Sequence, residues 1–336
     1  WSIKRLIGGR SPAYRPPHLL ARDIAQIARY LSGPIFVVGD IRQAGDEYAH
    51  TLLDLLKGAR IKNNVVLELF DSAPRAYFSE VSQALHNFNF QMSPETHDEA
   101  LRKLAGKSYT NEEIESCIKW ALDAGCRKFD VFFMIGIPGQ TRQSVMSTVE
   151  YAGYLMERFG SRVVPFISPL APFLDPGSIY YEMPERYGYR ILFKKFDEYR
   201  HVLTMPSWKY MLNYETEKMS RDDIVDATYD AGVRLNVLKY KHGVVNEATY
   251  KITEDKINSA RSIMEKIDKI MALEDEGLRS HELTSLQREL DMVNASTICH
   301  ESEIKWPSIG KNFKFLNIAA DLTATLIKDF LKKKIC

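Results

Sequence analysis

The chain of 336 residues predicts an α/β fold on a parallel sheet, and three features carry that reading. Short apolar runs alternate with helical patterns through the first half. The runs are continuous rather than alternating, as strands covered on both faces are. Each also ends in glycine, proline or small polar residues, which suits a ligand rim at the C-terminal ends of barrel strands. The expected architecture is a partial, TIM-barrel-like (β/α)6-type barrel over residues 1–180, followed by a mainly helical region over residues 181–336.

The elements follow in order. Pro16 and Pro17 open a helix whose Leu20, Ile24, Ile27 and Leu31 share one face, and Gly33-Pro34 stops it. Residues 35–38 form a strand that ends at Gly39-Asp40. Asp46 can cap the next helix, with Ala49, Leu52, Leu53 and Leu56 inward. A strand over 65–70 precedes a short helix from Pro74 carrying Phe78, Val81 and Leu85. The next strand ends in the run from Gln91 to Glu95. Thr110 and Glu113 make a capping box ahead of Ile114, Cys117, Ile118, Ala121 and Leu122, and Gly125 ends that helix. The strand from Phe129 to Ile135 runs into Gly136, Ile137, Pro138, Gly139, Gln140 and Thr141. A helix through Val145, Val149, Ala152 and Leu155 leads to a last strand over 163–168.

The alternation stops near residue 178, so five strands are counted and a full eight-unit barrel does not fit. Beyond that point a helix opens at Ser220 and is expected to end at Gly232. Stripes at Ile257, Ala260, Met264, Ile267 and Met271, and at Leu283, Leu286, Leu290 and Val293, suggest an antiparallel pair turning near Gly277. Leu316 to Leu331 reads as a final helix closed by Lys332, Lys333 and Lys334.

Composition narrows the function classes without choosing one. Apolar residues at 45% and charged ones at 26% are ordinary for a globular enzyme. A net charge of +1 argues against a broad nucleic-acid surface. No apolar stretch approaches the roughly 18 residues that span a bilayer. The start is basic without the apolar core of a signal peptide, so the default expectation is a cytoplasmic protein. The four cysteines, Cys117, Cys126, Cys299 and Cys336, form no Cys-x-x-Cys pair. Cys117 and Cys126 read as packing residues, and Cys299-His300-Glu301 could be half of a metal site but has no second half nearby.

The strand ends supply the candidate ligand residues. Gly39 and Asp40, Ser93 and Glu95, Gly136 with its neighbours, and Ser168 with Pro169 all lie there. Glycine lets a flat ring approach the backbone, while the Asp40 and Glu95 carboxylates could hold an ammonium or ribose hydroxyls. On spacing alone these residues fit a non-catalytic barrel equally well. An aldolase-type barrel would want a lysine at a strand end, and none of these ends offers one. His97 follows the Glu95 turn and could face the site.

From Arg15 to about Ser178 the chain resembles the radical S-adenosylmethionine superfamily, and most of all the branch that carries an upstream cobalamin-binding domain. The matching pieces are Val38-Gly39-Asp40, Gln91 to Glu95 with Leu101-Arg102-Lys103 behind it, Tyr109-Thr110, Phe133 to Thr141, Ser168-Pro169, and Pro176 to Ser178. The resemblance implies S-adenosylmethionine as cofactor, reductively cleaved by a [4Fe-4S] cluster to a 5′-deoxyadenosyl radical, with cobalamin supplied by the upstream domain. It implies that Gly39 and Asp40 meet the methionine amino group, although the family more often has Gly-Glu there. Ser93 and Glu95 would face the ribose, and Ile135, Gly136, Ile137, Ser168 and Pro169 the adenine. No residue of this chain is assigned a catalytic or metal-binding role.

The family's Cys-x-x-x-Cys-x-x-Cys loop is absent from these residues, and scattered cysteines do not replace a tight triad of thiolates. The expectation is that this loop and the first barrel strand lie upstream of Trp1, in a segment that completes the barrel. On that view the chain by itself neither assembles a cluster nor cleaves S-adenosylmethionine. The alternative is a non-catalytic relative with a binding or assembly role.

Overall fold

The computed structural model describes residues 13–169, 174–293 and 312–335, with side chains to residue 287 in the second stretch and to 327 in the third. Five strands form one sheet in the sequential order β1-β2-β3-β4-β5: β1 (Ile35–Val37), β2 (Val65–Leu69), β3 (Phe88–Glu95), β4 (Phe129–Ile135) and β5 (Val163–Pro169). β1 and β2 pair in parallel, with Ile35 beside Val65 and Val37 beside Leu67. Helices fill each connection: α1 (Pro17–Tyr30) before β1, α2 (Asp46–Ala59), α3 (Arg75–Ala84), α4 (Glu99–Leu104) with α5 (Asn111–Asp123), and α6 (Arg142–Phe159). This is the open, partial (β/α) barrel expected, with β1 and β5 at its edges.

Local signals set most of these boundaries. The Thr110 and Glu113 box is present: the Thr110 amide donates to Glu113 Oε2 at 2.7 Å, and the Glu113 amide to Thr110 Oγ1 at 3.2 Å. Asp46 is the first residue of α2 rather than its cap, because Gly45 precedes it without a side-chain hydrogen bond. Its charge still favours the helix N-terminus.

Two compact units divide the chain. One comprises Ala13–Gln91, Lys119–Phe129 and Lys305–Cys336. Its core is aromatic: Phe78 and Phe90 meet edge to face at 5.2 Å, and Phe88 meets Phe90 at 5.8 Å. Edge-to-face pairs of this kind add about 1 kcal/mol each to the burial of the rings. The other unit comprises Trp1–Pro12, Met92–Ile118 and Asp130–Ile304. There α6 packs along α10 (Arg221–Lys241), and α10 along α11 (Glu247–Met271). A four-residue turn then leads into α12 (Glu276–Val293), and Ile263, Ile267 and Leu286 join that pair. A final helix, α13 (Phe315–Ile335), completes the described chain.

One expectation fails here. Gly232 does not end its helix, which runs on to Lys241. A Cβ at Gly232 would make only an ordinary 3.5 Å contact with Ile257 Cδ1, and the helix continues because its face packs on α11. The region after residue 180 is mainly helical, as expected, and adds one small sheet. β6 (Tyr189–Ile191) and β7 (Tyr214–Thr216) form an antiparallel pair, with α7 (Ile179–Glu182) before it and α8 (Phe196–Val202) and α9 (Trp208–Met211) inside its connection. Three-residue strands are too short for hydrophobic periodicity to register. The basic start and the Cys299-His300-Glu301 run lie outside the described residues.

Candidate functional site

The end of β1 carries Gly39 and Asp40. Gly39 has φ +91°, and its amide donates to Glu68 Oε2. Asp40 is 5% exposed and bound on both carboxylate oxygens. Oδ1 accepts the Arg42 amide and Nε, each at 3.0 Å, while Oδ2 accepts the Phe70 amide at 3.0 Å and Arg42 Nη2 at 2.5 Å. Arg42 also donates to the carbonyls of Ser72 and Asp71, each at 2.8 Å. A carboxylate offers about four acceptor directions, and all of them are taken. Asp40 is therefore a brace between the β1 and β2 loops, leaving no acceptor open for a methionine ammonium.

The end of β3 is built differently. Glu95 is a non-glycine residue at φ +68°, and the Thr96 amide reaches back to the Pro94 carbonyl at 2.8 Å. That three-residue turn is strained and costs about 1–3 kcal/mol, which the surroundings must supply. Arg102 supplies much of it. Fully buried, it donates to Thr96 O at 2.7 and 3.1 Å, to Tyr109 O at 2.8 Å and to Asn111 Oδ1 at 2.5 Å. Burial presses its guanidinium towards the neutral form, so these carbonyl acceptors hold a costly charge in place.

The same turn brings Lys107 back under the strand end, where its ammonium donates to Ser93 O and to Glu95 Oε1. Tyr109 OH adds a 3.3 Å bond to Ser93 O. Glu95 Oε2 is buried and has no partner among the described residues. Ser93 and Glu95 thus share one face of β3, with one carboxylate oxygen paired to lysine and the other open.

The end of β4 is closed over by tyrosines. Gly136 has φ +88°, and a Cβ there would fall 2.9 Å from Tyr214 Oη. Its amide donates to Gln140 Oε1 at 2.8 Å, and its carbonyl accepts Tyr189 OH at 3.0 Å. Gln140, fully buried, also donates to Met134 O at 3.0 Å, so its side chain caps the strand end. Ile135 and Ile137 are buried at 0% and 2%. Tyr189 meets Tyr214 at 5.6 Å and Tyr180 at 5.2 Å. Burial and then the neighbouring Tyr214, Tyr180 and Glu95 push the Tyr189 phenol far up, so it stays a donor at any physiological pH. Ser168 and Pro169 are partly buried at the end of β5.

Lys107, Arg102, Tyr189 and Tyr214 were not among the sequence candidates. Only Arg102 and Tyr109 lay inside quoted motif segments, and neither was assigned a role. His97 joins α6 instead of the Glu95 oxygen: its Nδ1 lies 2.9 Å from Thr148 Oγ1, and burial lowers its affinity for a proton. Cys117 and Cys126 are both buried, with Cys126 Sγ donating to Lys128 O at 3.1 Å. Among the described residues no group of three or more His, Cys, Asp or Glu side chains could hold a metal. No helix among them is long and apolar enough to cross a membrane.

Compared with known proteins, residues 7–152 match the description of the radical SAM superfamily. That segment, under half of the chain, is similar to the superfamily. The match spans β1 to β4 and most of α6, so both the Glu95 turn and the Gly136 rim lie inside the matched segment. No curated protein matches the chain. Among solved structures, the chain is similar to TsrM from Kitasatospora setae, a radical S-adenosylmethionine methyltransferase solved with tryptophan substrate and the analogue aza-SAM. Identity is 14% over 46% of this chain and 30% of that one, with a TM-score of 0.39. It is also similar to coproporphyrinogen III oxidase (HemN) from Escherichia coli, a radical SAM enzyme, at 12% identity over 84% and 85% of the two chains and a TM-score of 0.38. The chain spans under a third of the TsrM chain.

Proposed function

We propose that this chain is the S-adenosylmethionine-binding core of a radical SAM protein. The observation that carries the proposal is the Glu95 carboxylate. One oxygen is fixed by Lys107, and the other is buried without a partner among the described residues, on a strained turn inside the matched segment. An orphaned acceptor in a low-dielectric position is costly unless a donor arrives, and a ribose diol is such a donor. Ser93, on the same strand face, is the second polar group of that half-site. Ile135, Gly136, Ile137, Ser168 and Pro169 remain the contacts expected for adenine.

The iron–sulfur cluster is a separate matter, because the described residues do not fit one. The two described thiols are buried apart on packing faces, and no metal-holding group is found among the described residues. In the proposal an upstream Cys-x-x-x-Cys-x-x-Cys loop holds the cluster, and an upstream domain binds cobalamin. With such a loop the S-adenosylmethionine held here would be reductively cleaved to the 5′-deoxyadenosyl radical.

One observation favours a second reading, a relative that binds or assembles without catalysing. Tyr189 already occupies the Gly136 carbonyl, so a ligand that bonds there must first displace it. Equilibrium dialysis of radiolabelled S-adenosylmethionine with the full chain decides between silence and binding. Stoichiometric uptake is expected, weakened about tenfold or more in Glu95→Ala as a charge-assisted bond is lost. Equal uptake by wild type and variant, or no uptake, would sink the proposed site.

A further inference from the structure

The two strands of the small antiparallel pair are held unequally. β7 buries both Tyr214 and Thr216, and Leu212 and Asn213 just ahead of it are fully buried. β6 buries one side chain, Tyr189, while Arg190 is exposed and Ile191 partly so. A pair of three-residue strands is marginal by itself. Apart from its backbone bonds to β7, β6 is therefore tied to the interior chiefly by Tyr189. That side chain donates to the Gly136 carbonyl at 3.0 Å, and its ring packs on Tyr214 and Tyr180.

Gly136 divides its two backbone groups between different structures. The amide is satisfied within its own loop, by the fully buried Gln140 at 2.8 Å. The carbonyl is satisfied from 53 residues away, by β6. It becomes an open acceptor whenever β6 lifts, whereas the amide stays paired. The tyrosines also face the half-paired carboxylate. Burial comes first in holding the proton on Tyr180 and Tyr189, and the charge of Glu95 adds to it on both. Neither phenol bonds Glu95 Oε2, which has no partner among the described residues. Closing the rim with Tyr189 thus occupies one acceptor and encloses a second without satisfying it. Such a closure favours exchange of the phenol for a ligand that brings donors to both.

We infer that Tyr189 is a latch: its phenol holds β6 closed on the Gly136 carbonyl, and a ligand enters by displacing it while β7 stays fixed. The competition deepens the proposed function and rests on this rim being the S-adenosylmethionine half-site. The ligand-free chain is self-closed, and affinity is set against the release of one internal hydrogen bond.

Tyr189→Phe keeps the ring and removes the donor. Two amides separate the latch from general stability. The Leu192 amide donates across the pair to Asn213 O at 2.7 Å and is freed when β6 lifts. The Thr216 amide donates to Met219 O at 2.9 Å, within the turn that follows β7. Hydrogen exchange read by nitrogen-15 NMR on the full chain should be about fivefold faster at Leu192 in the variant and unchanged at Thr216, as expected for the loss of one neutral hydrogen bond. Equilibrium dialysis should show S-adenosylmethionine bound about fivefold more tightly by the variant than by the wild type. Unchanged exchange at Leu192, or equal acceleration at both amides, overturns the latch. Faster exchange at Leu192 with equal or weaker binding makes Tyr189 a structural tie and overturns the competition. If neither form binds S-adenosylmethionine, the proposed function fails, and exchange at Leu192 alone decides whether Tyr189 holds β6 closed.

Discussion

The ends of β1 and β3 both present a carboxylate beside a basic residue, yet the two do opposite work. At Asp40 the base comes from two residues away, on a 3-10 turn (Ile41–Ala44), and closes both oxygens. At Glu95 the base comes from twelve residues away, across α4, and reaches only one. Asp40 and Arg42 side chains are 3% and 15% exposed, those of Glu95 and Lys107 12% and 23%. A short-range partner makes a brace, while a long-range partner leaves one oxygen free. The difference separates structural from ligand-facing acids that look equivalent in sequence.

Breaking the brace should have the largest effect. Asp40→Ala leaves Arg42 with a buried charge and strands the Phe70 amide. The expected loss is on the order of 3 kcal/mol in urea unfolding, since removing one partner of a buried pair costs far more than the pair contributes. The corresponding change at Glu95 should cost stability little and ligand affinity much. Equal stability losses at the two sites would erase the contrast drawn between them.

A second break lies at the Gly136 rim. Gly136→Ala demands a side chain at φ +88° and places its Cβ 2.9 Å from Tyr214 Oη. The two effects together should cost about 1–3 kcal/mol. Tyr214→Phe removes the clashing oxygen, so combining it with Gly136→Ala should recover part of the loss. Additive losses in the double variant would mean that the backbone alone sets the penalty.

The contrast also marks what the sequence could disclose. The five strands were legible because each is rich in apolar residues and closed by glycine, proline or small polar residues, and the Thr110 box because its two residues lie three apart. Gly39, Ser93, Glu95 and Gly136 could be placed at strand ends on the same grounds. The partners that decide their roles could not. Tyr189 and Tyr214 reach Gly136 from 53 and 78 residues away, and no local pattern encodes that return. Arg42 was close enough to notice, but its pairing depends on a turn whose geometry composition does not fix. Gly232 shows the reverse error: a local stop signal was overridden by the packing of one helix on another.

The smallest expected effect concerns His97, which sits two residues past Glu95 and sharpens the comparison from the packed side of that turn. Burial is the main reason its proton affinity falls, with Arg102 acting in the same direction and Asp98 against it. An unfolded imidazole takes its proton near pH 6.5, whereas the folded one resists until a lower pH. The unfolded state therefore binds more protons in that window, and the contribution of His97 is present above about pH 6.5 and lost as pH falls through the folded value. His97→Gln keeps a hydrogen-bonding group for Thr148 and removes the titration. Urea midpoints at pH 7.5 and pH 5.5 should differ less in this variant than in the wild type. An unchanged difference would assign the acid sensitivity to other groups and leave the β3 turn without a proton-linked component.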